Sequence, residues 1–365
     1  MSAVFSKPSL LQRVKPLFQG FDIPLLLAMA WLMGLGLMCM YSAGYDHGTR
    51  FVDHARNMGL AMGVLFVTAQ VPPQRLMQLA LPLYAIGVTL LIAVALFGIT
   101  KKGATRWLYV GTQIQPSELL KIAVPLMLAW WFQKREGQLR LPDFIAAFVL
   151  LAVPVGLIAK QPDLGTSLLV LGAGLYVIFF AGLSWKLIIP ALVLAGAGIT
   201  ALVFSEDQIC QPDVKWVVLK DYQKDRVCTL LDPTKDPLGK GFMKGTQTHL
   251  EFIPERTTDF IFAAYGEEFG LIGAAGLLIG FTALILRGLA IAHEAPTLFS
   301  RLLAGAITLS FFTYVFVNMG MVTGILPVVG VPLPFISYGG TAMVTLGLSL
   351  GMLMSIAKSR GGTQR

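Results

Sequence analysis

Long apolar runs, separated by short polar segments and by segments rich in Pro and Gly, follow one another along almost the whole chain. A helix of about 20 apolar residues is long enough to cross the hydrocarbon core of a bilayer. The runs predict ten membrane helices, over residues 21–43, 53–70, 76–97, 117–133, 143–160, 164–182, 185–205, 258–286, 299–322 and 340–357. The pattern therefore predicts an all-α polytopic membrane protein, built as a single integral membrane domain over residues 1–365.

The overall composition agrees with a membrane protein. The 365 residues are 55% hydrophobic and 13% charged, with a mean hydropathy of +0.71, whereas a soluble domain carries about 25% charged residues. The net charge of +8 would by itself suit nucleic-acid binding. The basic residues, however, are scattered over loop ends and form no stripe, so no nucleic-acid partner is expected.

The basic residues also indicate how the chain is oriented in the membrane. The first apolar run, Ile23 to Tyr41, is too long for the core of a signal peptide and no cleavage motif follows it, so we expect a permanent helix. Ten helices place both termini on one side. The tails and short loops of that side carry more Lys and Arg than the opposite loops, which predicts cytoplasmic tails at residues 1–20 and 358–365.

This orientation places the most polar segments outside the cytoplasm. They are residues 105–116, 161–166 and 327–340, and a large loop over residues 206–257 between the seventh and eighth helices. Cys210 and Cys228 lie in the large loop, in what should be an oxidising compartment, so a disulfide between them is a hypothesis, with two free thiols as the alternative. The sequence shows neither the Cys and His spacing of a zinc site nor a Walker loop.

Charged side chains mark the outer end of the fourth predicted helix. Glu118 and Lys121 lie three residues apart, so they share one helix face and can form an ion pair. A capped helix start, with Ser117 as N-cap and Glu118 favoured by the helix dipole, explains the first two of these residues. It does not explain Lys121, a cation one turn inside an apolar helix, where ionisable residues are usually functional.

A second charged group precedes the eighth predicted helix. Glu255, Arg256 and Asp259 crowd one outer helix mouth. Thr257 or Thr258 is expected to cap the helix, which places Asp259 in its first turn, where the helix dipole stabilises a carboxylate. An aspartate in that position is mostly structural when it stands alone, but the neighbouring charges favour a functional role.

Two further features complete the set of candidate residues. Glu267 and Glu268 interrupt the eighth helix, and Asp163 joins the fifth and sixth helices as either a simple cap or a functional carboxylate. Several cations and an isolated carboxylate around an outer cavity suit glycosyl transfer from a lipid diphosphate. The cations would neutralise the leaving group, and the carboxylate would act as general base. The residues alone leave a transporter equally open, with intramembrane charges lining its substrate path.

Four longer segments carry a resemblance to a known family. They are Gln161-Pro-Asp-Leu-Gly-Thr-Ser167, Pro254-Glu-Arg-Thr-Thr-Asp-Phe-Ile-Phe262, Gly266-Glu-Glu-Phe-Gly-Leu-Ile272 and Pro334-Phe-Ile-Ser-Tyr-Gly-Gly-Thr341. These segments resemble the motifs of the SEDS family (shape, elongation, division and sporulation). They occur in the right order and the resemblance covers nearly the whole chain, which makes it specific. The short tails and the Glu-Arg-Thr-Thr-Asp sequence are more similar to the elongation member of the family than to its division member.

The resemblance implies the activity, the location and the partners of the protein. It implies a peptidoglycan glycosyltransferase in the bacterial inner membrane that polymerises lipid II on the periplasmic side. It also implies a complex with a class B penicillin-binding protein, the transpeptidase, together with other membrane proteins of the elongation machinery. No cofactor is required by the resemblance, and a divalent cation, Mg²⁺ or Mn²⁺, is compatible with it.

The resemblance also assigns the candidate site residues. It implies that Asp259 is the catalytic residue, acting as the essential aspartate of the family. The substrate-binding set that it implies comprises Arg106, Trp107, Glu118, Lys121, Gln161, Asp163, Thr166, Glu255, Arg256, Ser337, Gly339 and Gly340.

One departure from the family pattern lies in the large outer loop. Relatives carry a further stretch between Asp232-Pro-Thr-Lys-Asp-Pro-Leu238 and the Gly-Lys-Gly that leads to the Pro-Glu-Arg motif, whereas here Leu238-Gly239 runs directly into Lys240. Either the loop is shorter in this protein or a segment is missing near 239–240, and the matching flanks favour the second interpretation.

Two other functions compete with a glycosyltransferase. A lipid II flippase would equally need many membrane helices, but the polar clusters lie at outer helix mouths and little charge lies at mid-membrane. A non-catalytic scaffold for the penicillin-binding protein would leave Asp259 dispensable. Composition does not separate the three functions, and the motifs favour the enzyme.

Overall fold

The computed structural model describes most of the chain. The described residues are 17, 19–44, 48–101, 104–110, 112–161, 163–182, 239–245, 255–323, 325–326 and 328–360. The helix predicted over 185–205, most of the loop 206–257 with Cys210 and Cys228, and most of both predicted tails lie outside the described residues.

Nine helices form the described part of the chain. They are α1 (Ile23–Ala43), α2 (Arg50–Thr68), α3 (Pro73–Phe97), α4 (Pro116–Gln133), α5 (Leu141–Lys160), α6 (Leu164–Phe180), α7 (Ile261–His293), α8 (Leu298–Val322) and α9 (Gly340–Arg360). In chain order they correspond to nine of the ten predicted helices. Six of them (α1, α3, α5, α7, α8 and α9) are long and apolar enough to cross a membrane, so the fold is that of a polytopic membrane protein.

Helix starts follow ordinary capping chemistry. Asp22 caps α1 by accepting a hydrogen bond from the Leu25 N–H at 3.1 Å. The hydroxyl of Thr297 caps α8 by accepting from the Ser300 N–H at 3.2 Å. Proline occupies the first turn of α1, α3, α4 and α5. The N–H groups of a first turn make no hydrogen bond within the helix, so proline loses nothing there by lacking one.

α7 differs from its predicted span of 258–286 at both ends and in the middle. It continues past the predicted end at residue 286 to His293, and Arg287 in this added part pairs with Asp22 at 2.6 Å. It starts at Ile261, three residues late. At Gly270 the backbone leaves helical geometry (φ 57°, ψ −151°), so α7 is two helices joined at a break.

The predicted outer loop 105–116 forms part of a small antiparallel sheet that connects α3 to α4. Its strands are β1 (Ile99–Lys101), β2 (Ala104–Val110) and β3 (Thr112–Ile114), paired in the order β1-β2-β3. Ile99 lies opposite Trp107, and Leu108 lies opposite Ile114. Strands this short carry too little alternation to be recognised beside long apolar helices.

The helices form a buried centre and an apolar periphery. α4, α8 and α9 have most of their side chains buried, whereas α3, α5 and α7 expose large apolar side chains such as Ile86, Val149 and Ile279. α9 packs on α2, and α7 packs on α1 and α8. An apolar outer surface is expected where lipid surrounds the protein, and it leaves the polar residues to meet near the central helices.

Candidate active site

The predicted ion pair on α4 is present and buried. Lys121 Nζ lies 2.6 Å from Glu118 Oε1, and the two side chains are only 8% and 14% exposed. Two side chains from the other central helices complete the cluster. Thr345 Oγ1 donates to Glu118 Oε2 at 3.2 Å, and the Lys121 ammonium lies 5.6 Å from the centre of the Tyr314 ring. The two charges are therefore held among α4, α8 and α9.

The predicted N-cap role of Ser117 is wrong. α4 begins at Pro116, with Gln115 as the N-cap residue and no side-chain cap. Proline favours the first helical position because its φ is already helical, and this places Ser117 inside the helix. Its hydroxyl is buried and finds no hydrogen-bond partner in the part of the chain that the structure describes. Glu118 lies in the first turn, as predicted.

Asp163 joins three parts of the chain. It caps α6 by accepting from the Thr166 N–H at 3.1 Å, and it also accepts from Gln115 Nε2 at 3.1 Å. Arg106 Nη1 of β2 lies 3.7 Å from Asp163 Oδ1, and Arg106 Nε donates to the Gln161 carbonyl at 3.4 Å. The interpretation of Asp163 as a cap is confirmed, and its further contacts link the sheet to the start of α4, while its role as a functional carboxylate stays a prediction.

Trp107 is a predicted site residue on the small sheet. It follows Arg106 on β2, is partly buried, and pairs across the sheet with Ile99. Successive side chains on a strand point to opposite faces, so Trp107 and Arg106 face opposite sides of the small sheet.

Asp259 lies in a turn before α7 and not in its first helical turn. Residues 255–260 form the turn, and Phe260 is the N-cap residue without a side-chain cap. The expectation that Thr257 or Thr258 caps the helix is therefore wrong. The Thr258 hydroxyl donates to Glu255, at 3.2 Å to its carbonyl and 3.1 Å to its carboxylate.

The other hydroxyl is also engaged elsewhere. Thr257 Oγ1 accepts a hydrogen bond from the Arg50 guanidinium at the start of α2, and both Thr257 and Arg256 are buried. Glu255 has a left-handed backbone, with φ +50°. Contacts with other parts of the chain, and not helix capping, thus set the conformation of the turn.

The segment 328–339 supports the turn that carries Asp259. Ser337 Oγ donates to the Thr258 carbonyl at 2.7 Å and accepts from the Leu333 N–H at 2.7 Å. The Tyr338 N–H donates to the Thr257 carbonyl at 2.8 Å. Ser337 is therefore beside Asp259, as the predicted set requires, but the contacts described here hold the main chain of the turn.

The two predicted glycines lie at the start of α9. Gly339 lines a cavity together with Ser337 and Tyr314, and Gly340 begins the helix beside the Asn57 side chain of α2.

Two adjoining cavities connect the ion pair to the segment 328–339. Lys121 and Thr345 line the first cavity, and Ser337 and Gly339 line the second. Tyr314 and Leu346 border both. The second cavity lies beside the Asp259 turn, because the Ser337 hydroxyl that lines it donates to the Thr258 carbonyl.

Comparison with known proteins decides the family. The model of the FtsW, RodA and SpoVE family, described as cell cycle protein, matches residues 23–243 and 238–361. The chain is a member of the SEDS family. The peptidoglycan glycosyltransferase MrdB of Escherichia coli K12 is 45% identical over 359 residues, covering 92% of this chain and 93% of MrdB. The probable peptidoglycan glycosyltransferase FtsW of Geobacter metallireducens is 31% identical, covering 94% of this chain and 96% of its own.

Solved structures of the family have the same fold. RodA of Thermus thermophilus, a rod shape determining protein, superposes with a TM-score of 0.71 at 29% identity, covering 94% of this chain and 98% of that chain. A chain from a peptidoglycan synthase complex, described for its coordination of polymerization and crosslinking, superposes with a TM-score of 0.72 at 31% identity. It covers 94% of this chain and 99% of its own.

In this SEDS protein, Glu267 and Glu268 of α7 contact the segment 239–245. Lys240 Nζ lies 2.7 Å from Glu267 Oε1, and the Ser42 hydroxyl donates to Glu268 Oε1 at 2.5 Å. The N–H groups of Lys240 and Gly241 donate to the carbonyls of Glu267 and Glu268, each at 2.9 Å. A break in a helix frees such carbonyls for outside partners. The Glu267 carboxylate and the carbonyls of Glu267 and Glu268 therefore attach residues 239–245 to α7, whereas the Glu268 carboxylate binds Ser42 of α1.

Two residues near the Asp259 turn of this SEDS protein were not predicted. They are Arg50, which donates to Thr257, and Asn318 of α8, whose amide donates to the Asp259 carbonyl at 2.9 Å. The amide of Asn318 in the apolar stretch of α8 could have indicated a functional residue from the sequence, because polar groups inside membrane helices are costly. Among the described residues, no group of three or more His, Cys, Asp or Glu side chains is arranged to hold a metal ion.

Proposed function

We propose that this SEDS protein is a peptidoglycan glycosyltransferase that polymerises lipid II into β-1,4 glycan strands for cell elongation and rod shape. The similarity to MrdB over nearly the whole chain supports this activity. The observation that carries the assignment of roles is the Asp259 turn. Its backbone is clamped by Ser337, Tyr338 and Asn318 beside the cavity that leads to Lys121.

The proposed reaction is an inverting displacement at the anomeric carbon of the donor sugar. Asp259 accepts the proton of the acceptor GlcNAc 4-hydroxyl, and the hydroxyl oxygen forms a bond to the anomeric carbon. The bond from that carbon to the diphosphate oxygen breaks, and undecaprenyl diphosphate leaves with the electron pair. A positioned carboxylate that removes the proton contributes about 10²- to 10⁴-fold to such a rate.

The cations of the site are proposed to stabilise the leaving diphosphate. Lys121 is held by Glu118 in a mostly dry cluster, where a preoriented charge acts more strongly than in water. Arg106 and Arg256 would supply forks that match phosphate oxygens. The rest of the predicted set would position the two sugars, and consists of Trp107, Gln161, Asp163, Thr166, Glu255, Ser337, Gly339 and Gly340. A Mg²⁺ or Mn²⁺ ion carried by the diphosphate would need only one or two protein carboxylates.

The membrane arrangement and the partners follow from the same proposal. We propose ten membrane helices with both termini in the cytoplasm and the active site on the periplasmic face. The partner proposed is a class B penicillin-binding protein, within the elongation machinery. The similarity to a chain of a peptidoglycan synthase complex that coordinates polymerization with crosslinking supports this partner.

An assay in detergent micelles tests the enzyme against the two alternative functions. The purified chain is mixed with labelled lipid II and its transpeptidase partner, whose own active site is blocked by a β-lactam. A flippase has no bilayer to work across in micelles, and a scaffold would leave polymerisation to the partner. Glycan strands that require the chain support the proposal, whereas strands from the partner alone, or no strands at all, would contradict it.

A further inference from the structure

Asn318 of α8 connects the Asp259 turn to the segment 328–339. Its Nδ2 donates two hydrogen bonds, one to the Asp259 carbonyl at 2.9 Å and one to the Val331 carbonyl at 2.7 Å. The side chain is fully buried. Val331 follows Gly330, and Gly330 lies beside the Asp259 carboxylate. One amide group therefore sets the separation between the two pieces of main chain that border that carboxylate.

Both hydrogen bonds require the amide NH₂ group. The two acceptors are backbone carbonyls, and only a group with two N–H donors can satisfy both at once. The remaining amide oxygen, Oδ1, is buried and has no hydrogen-bond partner among the described residues. A buried polar atom without a partner destabilises the fold and calls for an explanation other than stability.

We propose that Asn318 is a positioning residue for Asp259 in glycosyl transfer. This inference rests on the proposed function, since it assigns to Asn318 the task of holding the base at its working distance. The Asp259 turn has no side-chain helix cap, so its placement depends on contacts from other elements. Ser337 and Tyr338 hold residues 257 and 258, and Asn318 holds Asp259 itself.

The test compares Asn318→Leu with wild type in the detergent assay, with kcat and KM for lipid II measured separately. Leucine has a similar size but donates no hydrogen bond, so both carbonyls lose their donor. We expect kcat to fall about 10- to 100-fold, because small displacements of a catalytic group are costly to the rate. KM is expected to stay within about 2-fold, since Asn318 is not proposed to touch the substrate.

Thr308→Val is the matched control. Thr308 is also fully buried in α8, and its hydroxyl donates to the Ala304 carbonyl of the same helix at 2.7 Å. Loss of this local bond is expected to leave kcat and KM within about 2-fold of wild type. If Asn318→Leu does not assemble with the partner, Asn318→Gln is scored. Glutamine keeps the amide group on a side chain that is one methylene longer, so the two hydrogen bonds are displaced. We expect kcat to fall about 3- to 10-fold.

The outcomes separate this inference from the proposed function. A wild-type kcat in Asn318→Leu would overturn the positioning role and leave the proposed enzyme activity intact. The same holds for Asn318→Gln where that variant is used instead. A rise in KM at unchanged kcat would overturn it as well, because this indicates a substrate contact. A fall in kcat no larger than the fall in assembled complex would reduce Asn318 to a structural residue. If wild type makes no strands, the proposed function fails and this inference fails with it.

Discussion

The carboxylate of Asp259 faces the α-carbon of Gly330, where an added β-carbon would lie 3.3 Å from Asp259 Oδ2. Gly330 has φ +68°, a backbone region that L-residues with a side chain rarely adopt. Space and backbone geometry therefore both favour glycine at this position. Part of the wall beside Asp259 is main chain, so small backbone shifts are transmitted directly to the carboxylate.

Gly330→Ala is expected to lower polymerisation more than stability. Alanine at this φ costs about 1–2 kcal/mol, and its methyl group would crowd the carboxylate. We expect about 10-fold less glycan from the assembled complex, measured as strand synthesis from labelled lipid II. Gly63→Ala is the control, because Gly63 lies inside α2 with open space around it. A Gly330→Ala complex with wild-type activity would show that Asp259 tolerates displacement.

Stability and activity should respond differently to changes in the Glu118–Lys121 pair. Removing one partner of a buried ion pair leaves an uncompensated charge and destabilises the fold by about 3–5 kcal/mol. Lys121→Met and Glu118→Gln are each expected to lower the melting temperature, and the double variant should recover part of that loss. Its activity should stay low, because the cation proposed for the diphosphate is gone. Recovery of both properties in the double variant would mean that the pair is structural.

The Asp22–Arg287 pair is expected to make stability fall at acid pH. Burial disfavours ionised Asp22, but the hydrogen bonds and the charge of Arg287 outweigh it, so the pKa of the Asp22 carboxyl lies below its usual value. A lowered pKa gives stabilisation that is complete above the unfolded-state pKa of about 3.9 and is lost as pH falls through the folded-state pKa.

Asp22→Asn tests this linkage in thermal unfolding of the detergent-solubilised protein. The variant should be about 1.5–3 kcal/mol less stable than wild type at neutral pH, as expected for hydrogen bonds to a charged group. The difference should stay constant from about pH 5 to 8 and shrink below about pH 4. Asp53→Asn is the control, since Asp53 pairs with the exposed Arg56, and exposed pairs contribute little. An Asp22→Asn difference that does not change with pH would refute the linkage.

Gly239→Ala should detach the segment 239–245 from the break in α7. Gly239 has φ +69°, and an added β-carbon would lie 2.5 Å from the Gly270 nitrogen and 2.6 Å from the Glu268 carbonyl oxygen. We expect faster hydrogen exchange in the peptide that covers Lys240 and Gly241, whose N–H groups bond to α7. Gly266→Ala, on the same helix with open space around it, should leave the exchange unchanged. Equal exchange in both variants would contradict the attachment.

The sequence predicted helices well because their signal is local. Apolar runs placed eight of the nine described helices within about three residues at each end, and α7 is the exception because it ends seven residues later than predicted. The spacing of Glu118 and Lys121 predicted their contact, because residues three apart share a helix face. The cap at Asp163 was predicted for the same reason, since it binds the N–H of Thr166 only three residues away.

Contacts between distant parts of the chain were not predictable in this way. Thr257 and Thr258 have the composition of an N-cap, but Arg50 and Glu255 engage their hydroxyls. The pair between Arg287 and Asp22 joins residues far apart in the sequence and was not predicted. The Asn318 amide donates hydrogen bonds to two carbonyls from separate loops. In each case tertiary structure decided between local options that the sequence left open.

Asp259→Asn provides the most direct test of the central claim, that this chain forms the glycosidic bond with Asp259 as the base. The amide has the same shape as the carboxylate but cannot accept the proton, so the turn should be preserved while the base is lost. The complex with the transpeptidase, blocked by a β-lactam, is given labelled lipid II, and the release of undecaprenyl diphosphate is followed. We predict an assembled complex with release reduced about 100-fold or more. Release at the wild-type rate would contradict the account.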